Sequence, residues 1–177
     1  MILKMKSMAG RKAKKILIID FDKRSLLSLS KHLQAEGYDV IAATDGEEGL
    51  EKFKFENPDL VITEAMLPKL HGFDLCLKIN CELSRKVPVI IITGIYREPL
   101  YKSEALQFYG ASAYLEKPYR TEELHSTILN LLSAEEEKEQ EKEKLVDIKE
   151  EIKTLKAEVV NTLKKYEIQL NSIIEEG

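Results

Sequence analysis

Five short apolar runs rich in Ile and Val alternate with amphipathic stretches along residues 14–133. The runs have the length and β-branched content of buried strands, and we place them at 16–19, 38–42, 60–63, 89–92 and 113–115. Apolar spacings of three and four residues predict helices between them, one ending before Gly37 and the others near 47–55, 73–80, 99–109 and 121–132. The alternation predicts an α/β fold with a doubly wound parallel sheet.

Beyond Leu132 the pattern changes to that of a long charged helix. The stretch SAEEEKEQEKEK has almost no apolar residues, and after it apolar residues step by 3, 4, 3, 4, 4, 3, 4 and 3. We call them the apolar seam: Leu145, Ile148, Ile152, Leu155, Val159, Leu163, Tyr166, Leu170 and Ile173. Heptad spacing with one four-residue stutter predicts a self-associating coiled coil at 134–177. The alternative is that this helix folds back onto the preceding domain. The orientation of the helices in the coiled coil and the number of chains in it stay open.

Charge is distributed unevenly along the chain. Residues 134–177 carry 13 acidic and 8 basic residues, a net charge of -5, whereas the other 133 residues carry 18 acidic and 19 basic ones, a net of +1. Neither balance predicts nucleic-acid binding. Basic residues in 1–13 indicate a flexible N-terminus. Without an apolar stretch long enough for a signal peptide or a membrane helix, we expect a cytoplasmic protein with no membrane span.

Polar residues close four of the five predicted strands. Asp20 follows the first strand, Glu64 the third, Thr93 the fourth and Lys117 the fifth. Because parallel strands end at the same edge of a sheet, where ligands bind beside the reversal in strand order, we expect these side chains to form one site.

The segments that carry these residues resemble the landmarks of response-regulator receiver domains. ILIIDFD, PDLVITEAMLP, VPVIIITG and GASAYLEKPY stand in the family's order and at its intervals. The resemblance covers residues 14–133 and implies a flavodoxin-like (βα)5 domain. Members of this family accept a phosphoryl group from a histidine kinase onto an aspartate, with the help of magnesium.

The resemblance implies a role for each site residue. Asp20 is similar to one member of the family's acidic pair, Glu64 stands at the acceptor, and Thr93 at the switch hydroxyl. Tyr114 corresponds to the switch aromatic and Lys117 to the family's lysine. Pro118 resembles the proline that often follows a cis peptide bond.

Two residues depart from the family pattern, both in this site. Glu64 replaces the acceptor aspartate, and its extra methylene moves the carboxylate by roughly 1 Å, which can cost on the order of 100-fold in rate. Phe21 replaces an acid that binds magnesium, so Asp20, Glu64 and the Met66 carbonyl are the residual metal ligands. We therefore expect no cofactor and at most weak magnesium binding, unless Asp22 compensates through a shift of its loop.

These departures predict a pseudo-receiver that is not an enzyme, is not phosphorylated and has no catalytic residues. We expect Glu64 to make a charge-assisted hydrogen bond to Lys117. Thr93 and Tyr114 would then be turned inward, as in a permanently active-like state, whereas an inert Glu64 would leave only a docking surface. Two further readings stay open: a working phosphoacceptor in a two-component phosphorelay, and a structural oligomerisation protein.

A protein partner is expected at an aromatic face. Tyr101, Tyr109, Tyr114 and Tyr119 lie in and around the fourth helix and fifth strand, and such rings suit interfaces. Core packing explains about half of them equally well, and Phe108 beside them is expected to be buried. No DNA-binding output domain is expected after the receiver, because 44 residues are too few for one.

Overall fold

The computed structural model of the chain describes residues 13–82 and 86–175, with side chains at 13–81 and 86–172. The predicted flexible N-terminus therefore lies almost wholly outside the described residues. Within them the elements alternate as predicted, and each strand agrees with its prediction to within one residue. The elements are β1 (Lys15–Ile19), α1 (Lys23–Ala35), β2 (Asp39–Ala43), α2 (Gly46–Glu56), β3 (Leu60–Glu64), α3 (Gly72–Glu82), β4 (Val89–Thr93), α4 (Pro99–Gln107), β5 (Ala113–Glu116) and α5 (Thr121–Glu175).

The five strands form one parallel sheet in the order β2-β1-β3-β4-β5. Strand order reverses between β1 and β3, so the carboxyl ends of these two strands flank a crevice. Asp20 and Glu64 stand at those two ends. The order and the parallel pairing confirm the flavodoxin-like fold predicted from the sequence.

Helices cover both faces of the sheet, and each face has its own apolar core. On one face Leu33 of α1 and Ile128 of α5 pack with inward residues of the strands. On the other face Phe53 of α2, Leu75 of α3 and Ala105 of α4 do the same. Because alternate residues of β1, β3 and β4 enter opposite cores, these strands are apolar over most of their length.

The loop after β3 passes very close to the strand that it leaves. The N–H of Gly72 donates to the Ala65 carbonyl at 2.8 Å. A Cβ atom at position 72 would overlap the Glu64 carbonyl oxygen. Glycine at this position therefore allows the 65–71 loop to fold against the end of β3.

The C-terminal region is helical throughout its described part. Helix α5 runs without a break from Thr121 to Glu175, while the chain divides into two compact units at Leu132 and Ser133. The short helix predicted at 121–132 is thus the first part of a much longer one. The described seam side chains are 47–63% exposed in the single chain. Ile173, the last seam residue, has its side chain outside the described residues.

Candidate functional site

Lys117 joins the two carboxylates at the ends of β1 and β3. Its Nζ donates to Glu64 Oε2 at 2.7 Å and to Asp20 Oδ2 at 2.8 Å. The Lys117 backbone N–H donates to the Thr93 carbonyl at 2.7 Å, which holds the start of the segment after β5 against β4. The Lys117–Glu64 contact predicted from the sequence is therefore present, and Asp20 shares the ammonium group.

The Glu64 carboxylate is buried, and both of its oxygens are engaged. Its side chain is 6% exposed, Oε2 accepts from Lys117, and Oε1 accepts from the Ala65 N–H at 3.0 Å. A buried carboxylate is stable only when it is paired and hydrogen-bonded. Both oxygens that would have to engage a phosphoryl group or a metal already have protein partners.

Two opposing effects act on the Lys117 ammonium group. Burial favours its neutral form, while the hydrogen bonds to Asp20 and Glu64 favour the charged form, and the net result raises the pKa of Lys117 above its ordinary value. The group is therefore a cation at all physiological pH values. It neutralises part of the charge that the two acids bring to the crevice.

A small cavity lies beside the ion pair. It measures about 10 Å³ and is lined by Asp20, Glu64, Lys117 and Tyr119, by Ser25 and Leu29 of α1, and by apolar side chains of β1, β3 and β4. That volume is at the lower limit for a single water molecule. Phe21 does not line the cavity: its ring is 51% exposed.

These residues fit the magnesium ion of the receiver family poorly. Asp20 Oδ1 accepts from the Asp22 N–H at 2.9 Å, and its Oδ2 is held by Lys117. Magnesium prefers a near-octahedral set of oxygen ligands, but the Phe21 side chain offers none. The described residues contain no group of three or more His, Cys, Asp or Glu placed to hold a metal ion. Met66, a residual candidate, is 39% exposed beside the site.

Asp22, the acid that could replace a lost ligand, serves another purpose. It is the N-cap of α1, where its carboxylate accepts from the Arg24 N–H at 3.0 Å and the Ser25 hydroxyl at 3.1 Å. These two hydrogen bonds lower the pKa of Asp22. Using Asp22 as a metal ligand would cost α1 this cap.

A chain of hydrogen bonds leads from the site to the two switch positions. The Thr93 hydroxyl accepts from the N–H groups of Ile95 and Tyr96 at 3.2 and 3.3 Å. The Tyr114 hydroxyl donates to the Tyr96 carbonyl at 2.6 Å. Thr93 and Tyr114 are both buried, as predicted, and burial raises the pKa of Tyr114 to about 12.

The family model described as "Response regulator receiver domain" matches residues 16–129, more than half of the chain. The chain belongs to this family. Its segment Lys117-Pro118 also has the cis peptide bond that the resemblance implied. The receiver domain of a response regulator is a module of two-component signalling, and the fold of this receiver agrees with that assignment.

Curated relatives support the same family. This receiver is 35% identical over 123 residues to the alkaline phosphatase synthesis transcriptional regulatory protein PhoP of Bacillus subtilis, covering 70% of this chain and 50% of that protein. It is 34% identical over 135 residues to the response regulator ArlR of Staphylococcus saprophyticus, covering 76% and 57%. The chain thus spans about half the length of the curated relatives that it matches.

Solved structures agree. A CheY-like receiver domain protein from Methanospirillum hungatei superposes with a TM-score of 0.65 at 32% identity, covering 72% of this chain and 99% of that one. A receiver domain protein from Clostridium thermocellum gives 0.63 at 31% identity, covering 70% and 97%.

The predicted aromatic face is not one surface. Tyr114 is buried at 5% exposure, and Tyr119 packs against the core on the other side of the sheet from Tyr109. Phe108, expected to be buried, is 73% exposed. The inward row of α4 consists of Tyr101, Ala105 and the following Tyr109, at four-residue spacing, and Phe108 stands beside that row.

Two tyrosines have roles that the sequence reasoning missed. Tyr96 accepts the Tyr114 hydroxyl hydrogen bond, and its own hydroxyl lies 3.3 Å from His71 Nε2. Its ring also makes edge contacts with Phe73. Tyr119 lines the site cavity. Tyr119 follows the landmark Lys117-Pro118 and could have been found on that ground, whereas Tyr96 had no signal beyond its place after Thr93.

None of the helices in the described part of the chain is long and apolar enough to cross a membrane.

Proposed function

We propose that this receiver works without phosphorylation, as a non-enzymatic signalling module that binds a protein partner. The observation that carries the proposal is the Lys117 ammonium group held by both Glu64 and Asp20, beside a cavity of only about 10 Å³. The acceptor position thus has the longer carboxylate, and that carboxylate is already paired.

The positions of the switch residues Thr93 and Tyr114 support an active-like conformation of the receiver. In this proposal the Glu64–Lys117 contact takes the place of the contact between a phosphorylated aspartate and the lysine. The Glu64 side chain is longer than that of aspartate and carries a negative charge, so it partly matches the length and charge of a phosphorylated aspartate. Thr93 and Tyr114 are linked through Tyr96, as described above, and Tyr114 is inward. The receiver then keeps this conformation because of its sequence, without phosphorylation by a kinase.

The partner surface is assigned to the region around α4. Tyr101 and Tyr109 are half-buried there, and Leu100 and Phe108 are more than 60% exposed. Exposed apolar groups of this kind suit a protein interface. In this proposal the chain also self-associates through the apolar seam of α5.

A working phosphoacceptor is the second candidate function. It is favoured by the family membership and by the curated relatives, whose names describe transcriptional regulators and response regulators. Glu64 would then accept the phosphoryl group at its carboxylate, after Lys117 had released it.

Phosphorylation by a small donor tests the two candidates against each other. The full chain is incubated with acetyl phosphate and magnesium, and intact-mass spectrometry measures addition of a phosphoryl group. The matched control is the double substitution Phe21→Asp with Glu64→Asp, which restores both family acids in the same background.

We expect the unaltered chain to stay unmodified and the double variant to gain one hydroxylamine-sensitive phosphoryl group. Each single substitution shows which residue limits the reaction. A phosphoryl group on Glu64 of the unaltered chain would contradict the proposal and establish the second candidate. If the double variant also stays unmodified, beryllofluoride binding by that variant decides whether its site has been rebuilt.

A further inference from the structure

The apolar seam of α5 has the same spacing when read in either direction. Its steps of 3, 4, 3, 4, 4, 3, 4 and 3 residues form a palindrome with Val159 at the centre. Two copies paired antiparallel about Val159 therefore place every seam residue opposite another seam residue. Leu155 lies opposite Leu163 of the second copy, and Ile152 lies opposite Tyr166 of the second copy.

The position of the stutter makes this symmetry informative. A regular heptad seam can be read in both directions from many centres, but a stutter locally unwinds the supercoil. In an antiparallel pair the unwound parts of the two helices face each other only when the stutter lies at the centre of the seam. Here the two consecutive four-residue steps meet at Val159, the middle residue of the seam. A parallel pair in register does not require the stutter to lie at the centre of the seam.

Charges that flank the seam favour the same arrangement. In the antiparallel pair Lys149 of one copy lies beside Glu167 of the second copy, at the flanking positions that commonly carry salt bridges in coiled coils. Two-fold symmetry creates this contact twice. Glu151 lies beside the neutral Gln169 of the second copy, so these flanking pairs bring no like charges together.

Parallel pairing in register gives a less favourable set of contacts. Glu151 would lie beside Lys156 of the second copy, which is attractive. Lys144 would lie beside Lys149 of the second copy, which is repulsive, and this contact too would occur twice. The charge pattern therefore discriminates between the two orientations.

We propose that a second copy of this chain covers the apolar seam as an antiparallel, two-fold symmetric coiled coil centred on Val159. The inference rests on the self-association proposed above and adds its orientation. The seam spans 29 residues, about 43 Å of helix. Its described side chains are about half exposed in the single chain, as expected of a seam that a second helix covers.

Cysteine cross-linking in the full chain tests the orientation. Exposed Cys81 is changed to Ser, while Cys76 is kept because it is buried and burial raises the pKa of its thiol to about 12. Leu155→Cys and Leu163→Cys are then made separately, with tags of different size. Copper phenanthroline supplies the oxidant, and non-reducing gels separate the products.

We expect the mixture of Leu155→Cys and Leu163→Cys to give a mixed dimer, and neither variant alone to cross-link efficiently. Val159→Cys should cross-link to itself, because the two copies of this residue meet at the two-fold axis. Self-cross-linking of Leu155→Cys would overturn the antiparallel orientation while leaving self-association intact. A monomeric mass by sedimentation for the unaltered chain would overturn self-association as well.

A charge reversal provides a test that needs no cross-linker. Lys149→Glu should weaken an antiparallel dimer roughly threefold to tenfold, since it places a carboxylate beside Glu167 of the second copy. Adding Glu167→Lys should restore the affinity. The matched control Lys153→Glu reverses a charge on the outer face of the helix and should change the affinity by less than about twofold. A tighter or unchanged dimer with Lys149→Glu would overturn the orientation, because parallel pairing would lose its Lys144–Lys149 repulsion.

Discussion

Lys117 Nζ lies 2.7 Å from Glu64 Oε2, so the position that accepts phosphate in this family is joined to the family's lysine by a direct ion pair. Asp20 completes the arrangement at 2.8 Å from the same nitrogen. Two nearly buried acids therefore share one cation. The ion pair should therefore contribute to the stability of the receiver.

Lys117→Met should destabilise the receiver by about 3 kcal/mol at neutral pH, because it leaves two buried carboxylates without their cation. Urea unfolding followed by circular dichroism measures the change. Lys52→Met is the control: Lys52 pairs with Glu48 and donates to the Ala42 carbonyl, both at 2.7 Å, but its side chain is 37% exposed and water can replace these contacts, so its loss should cost about 1 kcal/mol. Equal effects of the two substitutions would contradict the prediction.

The pH dependence of this stabilisation follows from the raised pKa of Lys117. A group with a pKa above its unfolded value stabilises the fold fully below that unfolded value. The difference in unfolding free energy between wild type and Lys117→Met should therefore persist through mildly alkaline pH. It should be lost as the pH rises from about 10.5 through the raised pKa. A gap that closes between pH 7 and 9 would show that Lys117 is not held as a cation.

Tyr114 should ionise late. Burial, aided by the nearby charges of Glu116 and Glu64, raises the pKa of Tyr114 to about 12. Ultraviolet titration of the folded chain should show a late phenolate step, to which Tyr38 and Tyr119 also contribute because burial raises their pKa values. Tyr114→Phe should remove the latest part of this step, whereas Tyr101→Phe should not. Stability should fall between pH 10 and about 12, because the unfolded tyrosine loses its proton first. A titration unchanged by Tyr114→Phe would mean that Tyr114 is not inward.

The same titration tests whether Glu64 sets the position of Tyr114. Glu64→Ala removes the ion pair, and if the pair holds the switch inward, the Tyr114 step should move towards its ordinary pKa. Glu64→Gln is the matched control, because it removes the charge but keeps a hydrogen-bond acceptor for Lys117. We expect a small shift in Glu64→Gln and a larger one in Glu64→Ala. Identical shifts would reduce the role of Glu64 to its charge alone.

Gly72 and Gly94, both beside the site, differ sharply in the space that they leave for a Cβ atom. Gly72→Ala should destabilise the receiver by about 2–3 kcal/mol, because its Cβ would overlap the Glu64 carbonyl oxygen and displace the backbone there. Gly94→Ala should be nearly neutral, since its Cβ would meet only the Lys117 Cβ at 3.9 Å. Thermal unfolding compares the two variants. A harmless Gly72→Ala would mean that the 65–71 loop is not held as described.

Much of the fold could be predicted from local sequence. The strands are apolar because both faces of the sheet are covered, and that pattern is visible in any single run such as 89–92. The Glu64–Lys117 contact was predictable because both residues close parallel strands at one edge. The length of α5 was harder to predict, because a charged stretch with few apolar residues suits a solvated helix and a linker equally.

The features that could not be predicted from the sequence depend on packing between distant segments of the chain. Phe108 was expected to be buried, but the core meets this part of the chain along Ala105 and Tyr109. Tyr96 became a contact of Tyr114 only because β4 and β5 are neighbours in the sheet. The sequence alone does not contain the rotation of a helix about its axis or the path of a loop between strands.

Titration with beryllofluoride and magnesium, followed by amide NMR, tests the central claim most directly, because it reads both phosphate acceptance and the state of the switch. Beryllofluoride stands in for the phosphoryl group. We expect the amides of Thr93, Tyr96 and Tyr114 to stay in place in the unaltered chain and to shift saturably in Phe21→Asp with Glu64→Asp. Saturable shifts of those amides in the unaltered chain would contradict a receiver that works without phosphorylation.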